Sequence, residues 1–199
     1  MIKNITELKK DIEFSVHLRG QNFRFLTTWG LFSPEKIDNG SYMLIESCEV
    51  KPNDDILDMG SGYGAIGIAL AKSTNGKVDM VDKDFVAVEY SKKNAEINKV
   101  DNCKTYLSNG FEQIGDKQYD VIVSNLPAKV SKEFFWILFR EAKKHLKPNG
   151  KFYVVVISGL KEFIKRNFEE VFGNYKKVTH SNDYMVALAI NTAKPVDID

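Results

Sequence analysis

The segment from Asp54 to Gly67 constrains this chain more than any other. An apolar run, Ile56, Leu57 and Met59, is interrupted by Asp58 and then broken by Gly60, Gly62 and Gly64. An apolar helical pattern follows at once, with Ala65, Ile66, Ile68, Ala69 and Leu70. Strand, tight glycine turn and helix, in that order, open a βα unit whose turn can approach an adenosine-containing ligand in a doubly wound sheet. Taken alone, the turn equally fits a βα junction that uses glycine only for its geometry.

Downstream the pattern alternates in the βα manner. Strands are expected at 55–59, 77–81, 103–107, 119–124 and 151–157, and helices at 65–73, 85–98, 132–145 and 160–172. The runs Tyr119–Ser124 and Phe152–Ile157 are almost continuously apolar, which suits central parallel strands covered on both faces. The alternation then breaks. Residues 175–179 and 184–191 read as two strands joined by Ser181, Asn182 and Asp183, an antiparallel hairpin with no helix between. Upstream, residues 1–20 carry a weak helical pattern (Ile2, Ile5, Leu8, Ile12). Residues 21–26 read as a short strand, 27–39 as a loop, and 41–48 as a helix.

With 199 residues, 43% of them hydrophobic, the chain suits one domain with a sizeable core. Its apolar runs fall short of the roughly 20 residues that span a bilayer, and the first ten residues lack a signal peptide's apolar stretch. Cys48 and Cys103 stand far apart, which indicates neither a disulfide framework nor a zinc site. The expectation is a cytoplasmic protein with reduced thiols. Twenty-eight basic residues balance 27 acidic ones, so any attraction to nucleic acid has to be local.

Four places carry chemistry. Asp58, at the strand end, would repel a pyrophosphate and attract a cofactor bearing an amine and a sulfonium, which is S-adenosylmethionine. Asp82 ends the next strand about 20 residues after the glycines, the spacing at which a carboxylate accepts from both ribose hydroxyls. Asp84 is the reserve for that role, and Asp82 could instead cap the helix that opens at Phe85. Ser108, Asn109 and Gly110 follow the third strand, where an amide can meet the adenine edge or simply form a turn. Asn125, Leu126 and Pro127 close the strand at 119–124. There the Asn125 side-chain carbonyl and the Leu126 backbone carbonyl could hold a substrate NH2, with a structural turn as the other reading. Methyl transfer from a sulfonium needs an amine lone pair aimed in line, and no acid–base pair. His17, His145 and His180 are dispersed and read as surface or packing residues.

These residues resemble the class I S-adenosylmethionine-dependent methyltransferases. Asp58-Met59-Gly60-Ser61-Gly62-Tyr63-Gly64 is similar to that superfamily's glycine motif and Asp82 to its ribose acid. Thr28-Trp29-Gly30-Leu31-Phe32-Ser33, with Ile37-Asp38-Asn39-Gly40, is similar to the Gly-Val-Phe-Ser…Asp-x-Gly block of the methyltransferase small domain family, which includes ribosomal RNA guanine-N2 methyltransferases.

The resemblance covers most of residues 21–190. It implies an α/β, doubly wound, mostly parallel seven-stranded Rossmann-like sheet with a C-terminal antiparallel hairpin. The expected organisation is an N-terminal extension over 1–26 packing on the core, a methyltransferase domain over 27–191 and a flexible tail over 192–199. The implied cofactor shell is Asp58, Gly60, Ser61, Gly62, Gly64, Asp82, Lys83, Asn109 and Gly110. Phe32 and Ser33 are expected over the cofactor or the target base. Asn125, Leu126 and Pro127 are expected at the reaction, with S-adenosyl-L-homocysteine as product. The implied partner is RNA, and Lys9, Lys10, Arg19, Arg24, Lys129 and Lys132 are candidates for phosphate contacts as much as solvated surface charges.

Two departures stand out. The family usually has Asn-Pro-Pro and an aromatic residue, where this chain has Asn125-Leu126-Pro127-Ala128. Ala128 cannot stack on a base, a contact worth ~1–3 kcal/mol, and Trp29, Phe32 and Phe134 are the replacements at hand. Asn109 stands where an Asp is common. Other readings are methylation of a protein glutamine amide, a cofactor-binding module without catalysis, and a nicotinamide-dependent oxidoreductase through Gly62-Tyr63-Gly64-Ala65-Ile66-Gly67, which spells GxGxxG.

Overall fold

Strands with two apolar faces need cover on both sides, and the chain supplies it from different helices. The computed structural model describes residues 10–127 and 130–192. A hairpin of β1 (Ile12–Leu18) and β2 (Gln21–Thr27) is followed by α1 (Asn39–Ser47), β3 (Ile56–Met59) and α2 (Ala65–Ala71). Then come β4 (Val78–Asp82), α3 (Phe85–Ile97), β5 (Cys103–Leu107), β6 (Tyr119–Asn125) and α4 (Lys132–Lys144). The described chain ends with β7 (Leu146–Ile157), a 3-10 turn (Ser158–Leu160), α5 (Lys161–Phe172), β8 (Lys176–His180) and β9 (Tyr184–Ile190).

The main sheet has seven strands in the order β5-β4-β3-β6-β7-β9-β8. β5, β4, β3, β6 and β7 run parallel, and β9 is antiparallel to both neighbours. Ile56, Val121, Val123, Tyr153 and Val155 pack into one core with α1, α2 and α3. Leu57, Ile122, Phe152, Val154 and Val156 pack into the other with α4 and α5. This is the doubly wound architecture expected, with the C-terminal hairpin in place. The strand order reverses between β3 and β6, and a ligand crevice belongs at their carboxyl ends.

One expectation fails. The helical pattern that ended on Ile12 gives way to strand β1, where Ile12, Phe14, Val16 and Leu18 turn inward and Glu13, Ser15 and His17 outward. Period-two burial outweighs the i, i+4 spacing because β1 pairs along its whole length with β2. Residues 1–9, where the rest of that pattern lies, are outside the described residues. β7 also starts earlier than expected, at Leu146. It takes up Pro148 and Gly150 through an irregular register against Tyr119 and Val121, with Asn149 left-handed at φ 63°.

Phe23 and Phe25 of β2 are buried in the same core as Ile56. Asn94 on α3 ties the hairpin to the glycine turn. Its amide donates to the Leu26 and Tyr63 carbonyls and accepts from Leu26 N–H.

Candidate active site

The glycine turn leaves β3 between Asp58 and α2. Gly60 and Gly62 are left-handed, at φ 73° and 55°, and a Cβ on either would meet open space. Gly64 and Gly67 serve close packing instead. A Cβ on Gly64 would lie 2.6 Å from Ser91 Oγ, and one on Gly67 2.5 Å from Met80 Cγ. The bare Gly67 lets its N–H reach Asp58 Oδ2 at 2.8 Å.

Asp58 is fully buried, and burial pushes its carboxyl up to about 7 against the opposing Gly67 hydrogen bond. Its other oxygen, Oδ1, and the hydroxyl of Ser61 are buried with no hydrogen-bond partner among the described residues.

Four of the turn's backbone donors are engaged within the protein. Gly60 and Ser61 N–H donate to the Val81 carbonyl, Gly64 N–H to the Ser61 carbonyl, and Gly62 N–H to Asp82 Oδ2 at 2.9 Å. A pyrophosphate needs such donors free, so the three glycine N–H groups of the GxGxxG run do not serve one, and its last glycine is a packing residue.

Asp82, half-buried, accepts at its second oxygen from Asp84 N–H at 3.0 Å. Asp84 is the residue that caps α3, accepting from Val86 N–H at 2.8 Å. The cap left open for Asp82 thus falls to Asp84, and Asp82 holds the glycine turn. A carboxylate has about four lone-pair sites, so Asp82 retains capacity for ribose hydroxyls. Lys83 beside it is exposed.

Leu107 pairs with Asp82 across the sheet, and Phe85 opens α3. They stand 45% and 62% exposed, an apolar surface at the strand ends that the sequence reasoning missed. Asn109 is exposed and donates to Glu112 Oε1 at 3.0 Å, beside a left-handed Gly110. The buried Ser108 hydroxyl braces that turn on the Gly110 carbonyl.

Across the crevice, Asn125 ends β6. Its side-chain nitrogen donates to Ser41 Oγ at 2.8 Å and to Asp38 Oδ2 at 3.1 Å. With both amide hydrogens so engaged, Oδ1 is the atom left to receive a substrate donor. Asp38 caps α1, accepting from Ser41 N–H at 3.0 Å, and its other oxygen accepts from the Tyr184 hydroxyl at 2.9 Å. Ser41 and Tyr184 were not legible as site residues. A cap signal marks Asp38 and Ser41, whereas nothing local marks Tyr184. Leu126 is buried with its N–H on the Val155 carbonyl, so the chain leaves the sheet in a fixed direction before Pro127. Ala128 and Lys129 lie outside the described residues.

Phe32 is 64% exposed, and Ser33, left-handed at φ 49°, donates its hydroxyl to the Lys36 carbonyl. Arg19 is removed from the phosphate candidates. Its guanidinium donates to the Ile45 and Cys48 carbonyls at the end of α1 and to Ser73 Oγ. Arg24 pairs with Glu13 at 3.2 Å on the surface, Lys10 and Lys132 are exposed, and Lys9 is outside the described residues.

The methyltransferase small domain model matches residues 22–188, most of the chain. The chain belongs to the methyltransferase small domain family. The Bacillus subtilis protein YbxB, itself uncharacterized, is 33% identical over 181 residues, 88% of this chain and 90% of YbxB. Among solved structures, the T. thermophilus 16S rRNA N2 G1207 methyltransferase RsmC, in complex with AdoMet and guanosine, superposes with a TM-score of 0.83 at 27% identity. That match takes in 90% of this chain and 50% of RsmC, so the chain spans half of that enzyme's length. A Pyrococcus furiosus methyltransferase shares the fold, with a TM-score of 0.67 at 24% identity over 83% of this chain and 91% of its own.

A methyltransferase of this family uses S-adenosylmethionine, and the residues present fit it. A buried carboxylate oxygen and a buried hydroxyl left unpaired cost about 1–3 kcal/mol each, and the cofactor's ammonium would carry donors of the kind both lack. The open space over Gly60 and Gly62 and the acidic character of Asp58 and Asp82 suit the same positively charged molecule.

Proposed function

We propose that this protein transfers a methyl group from S-adenosylmethionine to an exocyclic amine of a nucleobase in RNA, with N2 of guanine in ribosomal RNA as the target. The observation that carries the reading is the orientation of Asn125. Its amide nitrogen is held by Asp38 and Ser41, so its carbonyl is presented at the crevice as an acceptor. The likeness to RsmC, solved with guanosine, supports guanine as the base.

The cofactor supplies an electrophilic methyl group on a sulfonium, already activated. The chain has to present the amine. The Asn125 Oδ1 and the Leu126 carbonyl each accept one N–H of the amine, which turns the nitrogen lone pair toward the methyl carbon. The same contacts stabilise positive charge growing on nitrogen, and they act without a general base. In the transfer the carbon–sulfur bond would break as the carbon–nitrogen bond forms, leaving S-adenosyl-L-homocysteine, and the methylated amine would lose a proton to water. Asp58 and Ser61 hold the cofactor's amine end, Asp82 the ribose, and Phe85 and Leu107 offer apolar cover to the adenine. Asn109 meets the adenine edge, and Phe32 and Ser33 lie over the cofactor or the target base. A cytoplasmic location goes with an RNA substrate; separately, no described helix is long and apolar enough to cross a membrane.

The test is transfer of labelled methyl from S-adenosylmethionine into RNA and into protein, both from cells lacking the gene, by wild type and Asn125→Ala. Label in RNA that vanishes in the variant is the expected result. Label in protein alone replaces the substrate class, and no label in either pool, from protein that binds the cofactor, replaces the activity with binding.

A further inference from the structure

The Asn125 amide is held by a chain of contacts that begins on the last strand of the sheet. Tyr184 opens β9 and pairs with Ile157, the last residue of β7. Its ring lies on the bare backbone of the first turn of α1, where a Cβ on Gly40 would sit 2.8 Å from Cδ1 of the ring. From there the hydroxyl donates to Asp38 Oδ1 at 2.9 Å, while Asp38 Oδ2 receives the Asn125 amide and the Ser41 N–H. An aspartate that only caps a helix keeps freedom about its terminal torsion. Here the second oxygen is tethered by a phenol from a residue 146 positions away. The geometry points to Tyr184 as a positioning residue for methyl transfer: through Asp38 it fixes the Asn125 amide with its carbonyl toward the substrate.

Two features set this apart from ordinary packing. The hydrogen bond to Asp38 raises the phenol's pKa, with burial adding to it, which favours the protonated hydroxyl that donates to Asp38. The contact also requires glycine at 40, although an early position of α1 accepts alanine with a gain in helix propensity. The inference rests on the reading of Asn125 as the amine acceptor, and its test separates the two.

Tyr184→Phe keeps the ring and removes the hydroxyl. Gly40→Ala keeps the hydroxyl and drives a Cβ into the ring and into Asp38. Each variant is compared with wild type in labelled methyl transfer to RNA, in cofactor binding, in thermal unfolding and in the side-chain amide NMR signals of Asn125, assigned with Asn125→Ala. Both variants are expected to lower kcat by about tenfold, the cost of a small misplacement. KM for RNA and cofactor affinity stay within about twofold and solvent exchange of the Asn125 amide protons is faster in both; Tm is nearly unchanged in Tyr184→Phe, whereas Gly40→Ala also loses Tm by overpacking.

An unchanged kcat with unchanged amide exchange overturns the positioning role. So does a loss that appears wholly in KM or Tm. If wild type labels no RNA, the proposed function falls, and faster amide exchange in Tyr184→Phe still upholds the tether while unchanged exchange removes it.

Discussion

Gly67 and Asp58 are joined by a 2.8 Å hydrogen bond from the Gly67 N–H to Asp58 Oδ2, deep under the first turn of α2. The bond exists because residue 67 has no side chain, since a Cβ there would stand 2.5–2.6 Å from Met80 and 3.0 Å from Asp58 Oδ2. Gly67→Ala therefore has to push α2 off β4. It is expected to destabilise the protein by about 1–3 kcal/mol through overpacking. Urea unfolding measures this, and weaker cofactor binding should accompany it because Asp58 moves with the helix.

The same carboxyl governs a pH dependence. Burial holds Asp58 at about 7, well above the ordinary aspartate value of 3.8. The folded protein thus keeps a proton that the unfolded chain releases, and the ligand-free protein becomes less stable as pH rises from about 4 to about 7. A cationic cofactor favours the ionised form and lowers that pKa, so binding expels a proton. Affinity for S-adenosylmethionine should rise between about pH 5.5 and 7.5. Calorimetry in buffers of different ionisation enthalpy reads the released proton, and Asp58→Asn should abolish both the release and the slope.

Asp82 and Asp84 lie two residues apart with different work to do, and alanine at each tests the division. Asp84→Ala removes the α3 cap and should cost about 1 kcal/mol of stability with cofactor affinity nearly intact. Asp82→Ala frees the Gly62 and Asp84 N–H groups that it holds. Affinity should fall by about tenfold or more, with a smaller effect on stability. Thermal unfolding with and without S-adenosylmethionine separates the two outcomes.

Arg19 is a strut, not a phosphate ligand. Arg19→Ala strips the donors from two carbonyls at the end of α1 and should cost about 1–3 kcal/mol in urea unfolding. The salt dependence of RNA binding should be unchanged, because a residue that neutralises no phosphate releases no counterion.

The site was partly legible from residue order. Asp58, the glycines and Asp82 fall on strand ends that hydrophobic period alone locates, and Asn125 closes an apolar strand whose partners are equally plain. Arg19 could not be placed in that way, since a half-buried guanidinium over a helix end and one in solvent read alike. The hairpin at 12–27 was misjudged in its first half, because Ile12 satisfies both a helical and a strand spacing until its pairing with Thr27 is known.

By itself the order of residues determined the βα alternation, the central apolar strands, the closing antiparallel hairpin and the acidic glycine turn. These depend on local periodicity and backbone freedom, which a few neighbouring residues express. Only the tertiary structure decided what each polar atom does. It gave the cap to Asp84 and the glycine turn to Asp82, left Asp58 Oδ1 and Ser61 Oγ buried without partners among the described residues, and hung Asn125 from Ser41 and from Asp38, itself tied to Tyr184. Hydrogen bonds between residues 38, 125 and 184 depend on where the sheet brings three distant segments together, and no local pattern encodes that distance.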